Sequence, residues 1–380
     1  MTIYRRSFGI RDQIQENLNY LYESNFIDSL RDSNMKFTIG RLNFHLAQVF
    51  GFCWGVDRAI SMAYESAKYF KNQKVWITNE IIHNPMVNAN LIKLNIEFLN
   101  IQADGSLDFS QIKHNDVVIL PAFGVNKDDL DKLNSTGCQI VDTTCPWVSR
   151  VWHRIEKYEK NNFTAIIHGK YNHEETIATS SRSNKFLIVQ NIQEAQWVCD
   201  FILKDGLASQ FLEKFKHSTS ANFNPKEDLI KIGIANQTTM LKGETELIGK
   251  LFEQTMIKKY GPQNIDEHFM SPGDTICNAT QERQDAMYDL IKLPLDFILV
   301  IGGFNSSNTS HLQEIAESTN IPSFHIDSVE CLIDEDTIKH RIANNGQIVH
   351  SKNWFKENYS NIGITSGAST PNQVVASVIE

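Results

Sequence analysis

Short, nearly unbroken apolar runs alternate along this chain with longer stretches in which apolar residues recur every three or four positions. KVWIT (74–78), DVVILPAF (116–123), FTAIIHG (163–169), FLIV (186–189), LIKIGIA (229–235), DFILVIGGF (296–304) and NIGIT (361–365) read as strands. Apolar runs of this length, without polar alternation, fit strands covered on both faces. Val56, Ala59, Ile60, Ala63, Tyr64 and Ala67 mark the inner stripe of a helix, as do Val148, Val151, Trp152 and Ile155. Ala286, Met287, Leu290 and Ile291 mark a third. Strands alternating with helices imply an α/β protein with mainly parallel sheets. Residues 1–42 are polar and mixed in charge, an N-terminal extension with helix expected around Gln13–Leu30.

Three of these helical stripes begin just after a cysteine. Cys53 follows the strand-like FHLAQVFGF. Cys145 follows QIVDTT and precedes Pro146, a residue suited to the first helical position. Cys277 follows the turn SPGDTI, with no clear strand before it. Successive cysteines lie about one domain's length apart. The pattern is therefore read as three α/β domains, each offering one cysteine from a loop entering a helix. The expected divisions are an extension 1–42, domains 43–144, 145–275 and 276–366, and a closing segment 367–380.

Composition narrows the classes. The 380 residues are 41% hydrophobic and 21% charged, ordinary for a globular chain. No apolar run approaches the roughly 18 residues that span a bilayer, so no membrane partner is expected. The formal net charge is -9 with scattered basic residues, which argues against nucleic acid as the main partner. A small anion remains compatible, because helix N-termini and a few histidines bind phosphate locally. The remaining cysteines are Cys138, Cys199 and Cys331. Without a disulfide framework or an apolar signal core, the six point to a reducing compartment.

Isolated cysteines are most often small buried hydrophobes, and spacing does not set these three apart. There is no C-x-x-C, hence no zinc ribbon or ferredoxin-type binding run. A thiol at a helix N-terminus does feel the positive end of the helix dipole, which favours the thiolate that ligates iron or zinc. His173 and Glu175 form an H-x-E pair after a strand, but Ile177 excludes the H-E-x-x-H zinc motif. His83 sits in a polar turn between a strand and a helix. Ser306, Ser307 and Asn308 stand between a strand and a helix, where they serve either as a plain helix cap or as an anion site. Ser369 has the same two readings. GGFNSSN lacks the third glycine of a dinucleotide fingerprint.

Eight motifs together settle on one family. GFCWGVDRAI (51–60), NEIIHNP (79–85), VDTTCPWV (141–148), NHEET (172–176), NQTT (236–239), GDTICNATQERQ (273–284), GFNSSN (303–308) and ITSGAS (364–369) occur in this order. From about residue 43 onward the chain resembles the 4-hydroxy-3-methylbut-2-enyl diphosphate reductase family, also called LytB or IspH. The Trp after the first cysteine, WITNEIIHNP and the N-terminal extension resemble its plant and cyanobacterial branch. One position departs from many bacterial members, where a histidine precedes Gly-Val. Here Phe123 stands, and a phenyl ring cannot donate to phosphate.

The resemblance implies three α/β domains in a pseudo-threefold, trefoil-like arrangement around a central 4Fe–4S cluster. Cys53, Cys145 and Cys277 would ligate three irons, leaving one iron open to substrate. It implies that His83, His173, Thr238, Ser306, Ser307, Asn308 and Ser369 bind the diphosphate substrate. Glu175 and Thr238 would carry the proton path. The implied reaction is reductive dehydroxylation of (E)-4-hydroxy-3-methylbut-2-enyl diphosphate to isopentenyl and dimethylallyl diphosphate, the last step of the methylerythritol phosphate pathway. The expected electron donor is a ferredoxin or flavodoxin, since no flavin or dinucleotide site is apparent. The expected location is a bacterial cytoplasm, or a plastid stroma for a plant-like source. The competing classes are a non-catalytic iron–sulfur sensor, which would not need the diphosphate set, and a zinc hydrolase built on His83, His173 and cysteines.

Overall fold

The computed structural model describes residues 2–103, 105–271, 273, 275–343 and 345–380. Pro272 and Asp274, in the turn before Cys277, lie outside the described residues. Among those described, the strands form three sheets. All of the apolar runs read above contribute a strand.

The first sheet is parallel throughout, in the order Ile3–Tyr4, Gln139–Asp142, Val117–Leu120, Val75–Ile77, Ile96–Phe98. Its central strand VVIL is buried along its whole length, as expected where helices cover both faces. The second sheet is also parallel, in the order Phe269–Met270, Ile232–Asn236, Thr164–His168, Phe186–Val189. The third has a parallel centre of Ser323–Ile326, Phe297–Ile301, Asn361–Ser366 and Leu42–Leu46. Antiparallel strands extend it at both edges. Each sheet has its own apolar clusters. This is the α/β architecture with three parallel-rich sheets that the alternation predicts.

The N-terminal segment is woven into two of these units. Ile3–Tyr4 pairs with the first sheet, and Lys36–Ile39 pairs with Leu42–Leu46 in the third. The helix expected around 13–30 is two helices, Gln15–Tyr22 and Asn25–Asp32. Ser24 separates them because it is extended, and its hydroxyl accepts from the Ile27 N–H to cap the second. Leu18 and Tyr22 pack into the first core, and Ile27 and Leu30 into the third. Leu42–Leu46, which directly precedes the Cys53 loop, pairs with Asn361–Ser366 near the other end of the chain. The loop before the first cysteine therefore leaves from the third sheet and enters a helix packed on the first.

Candidate active site

Each of the three cysteines is the capping residue of a helix: Cys53 for Trp54–Tyr69, Cys145 for Pro146–Lys160, Cys277 for Asn278–Leu290. None uses its sulfur to cap. Each is instead pinned through its backbone N–H to a loop bearing other candidate residues. Cys53 donates to the Ala368 carbonyl at 3.1 Å, beside Ser369. Cys145 donates to Ala122 at 2.9 Å, beside Phe123, and Cys277 to Thr238 at 3.3 Å. The backbone thus joins the three cysteines to three other segments of the site.

All eleven residues singled out in the sequence line one cavity with about 680 Å³ of empty space. Gly55 explains how the sulfurs reach it. A Cβ at position 55 would stand 2.6 Å from the Cys145 sulfur and 3.9 Å from that of Cys53, so the glycine leaves a hollow that the thiols fill.

At two of these thiols burial outweighs the N–H groups of the helix entrance. Burial pushes Cys145 up to about 12 and also raises Cys277. Backbone N–H groups of the helix entrances, Trp147 for the first and Thr280 and Ala279 for the second, oppose this without overcoming it. The nearby Cys53 thiol adds to the rise at both sites. Crowded, desolvated thiols of this kind lose their protons to a bound cation rather than to water. Buried Arg283 approaches Cys53 and Cys277 and donates to the Gly51 carbonyl at 2.6 Å, adding one positive charge.

The three sulfurs are spread too widely for one ion. Tetrahedral zinc, with bonds of about 2.3 Å, gathers its sulfurs to about 3.8 Å from one another. Among the described residues, the one group whose ligand atoms all lie within 4.8 Å is His83, His173 and Glu174, which contains no cysteine. A convergent but open trio of thiols suits a polynuclear cluster.

The other wall is built for an anion. His83 is buried, its Nδ1 3.0 Å from Glu80 and its Nε2 3.4 Å from Glu174. Burial opposes its charge, but the two carboxylates outweigh it and raise His83 to about 9. The Nε2 contact with Glu174 is an ion pair without hydrogen-bond alignment. His173 caps the helix Glu174–Ser180, its Nδ1 accepting from the Glu175 N–H at 3.1 Å. Burial and the charge on His83 hold His173 neutral, so we assign its remaining proton to Nε2.

Ser306 caps the helix Ser307–Glu317, accepting from the Thr309 N–H at 3.3 Å. Ser307 Oγ and Asn308 Nδ2 are buried without a partner in the protein. They stand in the first turn of that helix, where the dipole favours negative charge. Ser369 reaches the His83 carbonyl and Ser306 Oγ, each at 3.4 Å. Across the cavity, Glu175 is fully buried and raised to about 7 by desolvation. The Thr238 N–H and hydroxyl, at 2.5 and 3.0 Å from its carboxylate, hold the shift down.

Phe123, left outside the sequence-derived set because it cannot donate, has another place. Its ring stacks on His83 with centroids 4.5 Å apart and planes 18° from parallel. Glu80 and Glu174 were also missed as determinants of His83. Glu80 had a weak signal in its position three residues earlier; Glu174 had only its place between His173 and Glu175.

Known proteins resemble the chain over nearly its whole length. A family described as LytB protein matches residues 44–380. The 4-hydroxy-3-methylbut-2-enyl diphosphate reductase of the cyanobacterium Picosynechococcus sp. is 53% identical over 99% of this chain and 93% of its own. The enzyme of that name from Gloeobacter violaceus is 52% identical over 99% and 91%. The solved E-1-hydroxy-2-methyl-but-2-enyl-4-diphosphate reductase of Plasmodium falciparum shares the fold, with a TM-score of 0.64 and 24% identity over 88% of this chain and 86% of its own. A second solved structure, of (E)-4-hydroxy-3-methyl-but-2-enyl diphosphate reductase, aligns with a TM-score of 0.51 and 25% identity, over 88% and 97%.

Proposed function

The chain belongs to the LytB family, the 4-hydroxy-3-methylbut-2-enyl diphosphate reductases, and on that premise we propose how its residues carry out the reaction. It is the terminal enzyme of the non-mevalonate isoprenoid route. The C–O bond of the substrate hydroxyl breaks and the oxygen leaves as water. Two electrons and two protons are taken up, and protonation at either end of the allyl unit gives isopentenyl or dimethylallyl diphosphate.

In our reading Cys53, Cys145 and Cys277 hold a 4Fe–4S cluster, consistent with a family of iron–sulfur enzymes. Such a cluster would supply single electrons and, held by three cysteines, would leave one iron free to bind substrate. His83, charged by its two carboxylate neighbours, and His173, donating through Nε2, clamp the diphosphate. Ser307 and Asn308 add donors from the helix N-terminus, while Ser306 and Ser369 close the loop around it. Glu175 holds a proton near neutral pH and gives it up beside the departing oxygen, with Thr238 fixing its carboxylate. A ferredoxin or flavodoxin is the proposed electron source. The three-domain division is likewise proposed, supported by the three sheets, with Leu42–Leu46 pairing in the third sheet and the extension adding strands to the first and third. No described helix is long and apolar enough to cross a membrane. With cyanobacterial relatives, the proposed location is a bacterial cytoplasm, or the stroma if the source has plastids.

One observation carries this reading: a single cavity is lined both by three helix-capping cysteines and by buried donors without protein partners. Anaerobic purification with iron and sulfide analysis, followed by turnover of the diphosphate substrate with a reduced dye, tests it. Bound zinc without sulfide, or tight substrate binding without turnover, would sink it.

A further inference from the structure

A second groove opens beside the first cavity, and its lining differs in charge from the molecule as a whole. It is lined by Thr144 and Pro146, the chain neighbours of Cys145, whose own thiol faces the first cavity. About 1260 Å³ of empty space lies within it. Four arginines, Arg5, Arg58, Arg150 and Arg182, face it against two carboxylates, Asp142 and Glu156. The chain carries a formal net charge of -9, so this local excess is not a general property of the surface.

Among the described residues, three of the four arginines are held in place without an ion-pair partner. Arg5 pairs with Asp142 at 3.2 Å. Arg58 donates only to carbonyls, those of Thr143, Thr144 and Arg5, at 2.8 to 3.2 Å. Among the described residues, Arg150 and Arg182 have no ion-pair partner. Instead they lie over Trp147 and Trp152, 5.3 and 4.0 Å from the ring centroids. One helical turn before Arg58 stands Trp54, next to Cys53 and 64% exposed. Tryptophan and arginine are the residues that most often anchor a protein partner.

We propose that this groove and Trp54 form the docking site for a small acidic protein that delivers one electron at a time. The inference rests on the reductase reading above and extends it to the place of electron entry. Three features favour this occupant. The basic lining matches an acidic face and steers its approach despite an acidic overall charge. The groove wall is within one residue of Cys145, giving a covalent path from the docked surface to its sulfur. Two electrons require two visits, which suits a small, charge-steered and short-lived contact of the kind that redox partners make.

The test uses the full-length holoenzyme with its diphosphate substrate, driven either by a reduced viologen dye or by a reduced plant-type ferredoxin. In the double variant Arg5→Glu/Arg150→Glu, the KM for ferredoxin should rise at least tenfold and its salt dependence should flatten. Dye-driven kcat should stay within twofold, which also reports an intact fold. Arg150→Lys should keep ferredoxin-driven turnover, and Lys250→Glu, on the helix Lys242–Tyr260, should be silent. A ferredoxin KM within twofold of the parent in the double variant would overturn the proposal. So would an equal effect of Lys250→Glu, or a parallel loss of dye-driven turnover, which would place the groove's influence on the site itself. Absence of dye-driven turnover in the parent enzyme would instead bring down the reductase reading.

Discussion

The Thr238 hydroxyl donates to one carboxylate oxygen of Glu175 at 3.0 Å, while the Thr238 backbone N–H donates to the other at 2.5 Å. These two bonds stabilise the ionised carboxylate, and burial opposes them strongly enough to leave Glu175 near 7. A proton donor with that value is loaded below about pH 7 and empties above it. Turnover should therefore fall through an alkaline limb near 7. Thr238→Val removes one of the two stabilising bonds, so the limb should move upward, read from kcat against pH. An unmoved limb would take Glu175 out of the proton path. Glu175→Gln should keep the iron and lose turnover.

The same shift has a consequence for stability. The folded pKa of Glu175 lies above its ordinary value of 4.5, so the folded state holds the proton more tightly than the unfolded chain. This group's contribution is fully present below about pH 4.5 and is lost as pH rises through about 7. At pH 8, Glu175→Gln should be more stable than the parent, on the order of 3 kcal/mol, whereas at pH 5 most of that gap should be gone. Denaturant midpoints of the metal-free protein at the two pH values check this.

Gly55→Ala separates the cluster pocket from the fold. Alanine is the better helix former by about 1 kcal/mol, so on propensity alone the change should stabilise. Its Cβ would, however, stand 2.6 Å from the Cys145 sulfur. The expected result is a folded protein with much less iron per chain. Full iron content would show that the hollow is not needed.

Cys277→Ser offers a similar separation. Serine is a favoured helix-capping residue, so the helix Asn278–Leu290 should keep its entrance. Iron binding and reductase activity should be lost with little change in melting temperature. Retained activity would remove Cys277 from the cluster.

Ser306 and Ser307 are adjacent but should respond differently. Ser306 Oγ caps its helix, so Ser306→Ala should lower stability by about 1 kcal/mol. Ser307 Oγ has no protein partner, and Ser307→Ala should leave stability unchanged while weakening diphosphate binding about tenfold, the equivalent of roughly 1.4 kcal/mol. Calorimetric titration with inorganic diphosphate distinguishes the two. Equal binding by parent and Ser307→Ala would show that the hydroxyl does not meet the ligand.

Much of this was legible along the chain. The runs VVIL and FILVI announce buried strands because such a strand needs apolar residues on both faces. The cysteines were visible at helix entrances because each precedes a stripe with helical spacing. The polar residues of the site came from ordered motifs rather than from periodicity. Glu80, Glu174 and Phe123 escaped because their roles depend on His83, which only the folded chain brings to them.

By itself the sequence determined the alternation of strands and helices, which follows from local spacing, and the family, which follows from eight ordered motifs; it also placed three cysteines at helix entrances. The tertiary structure alone decided that Leu42–Leu46 pairs with Asn361–Ser366 and so suspends the Cys53 loop between two sheets. It also decided that burial outweighs the helix-entrance N–H groups at Cys145 and Cys277. The physical reason is the same in both cases. Strand partners and desolvation depend on which distant segments pack together, and a local pattern does not record that.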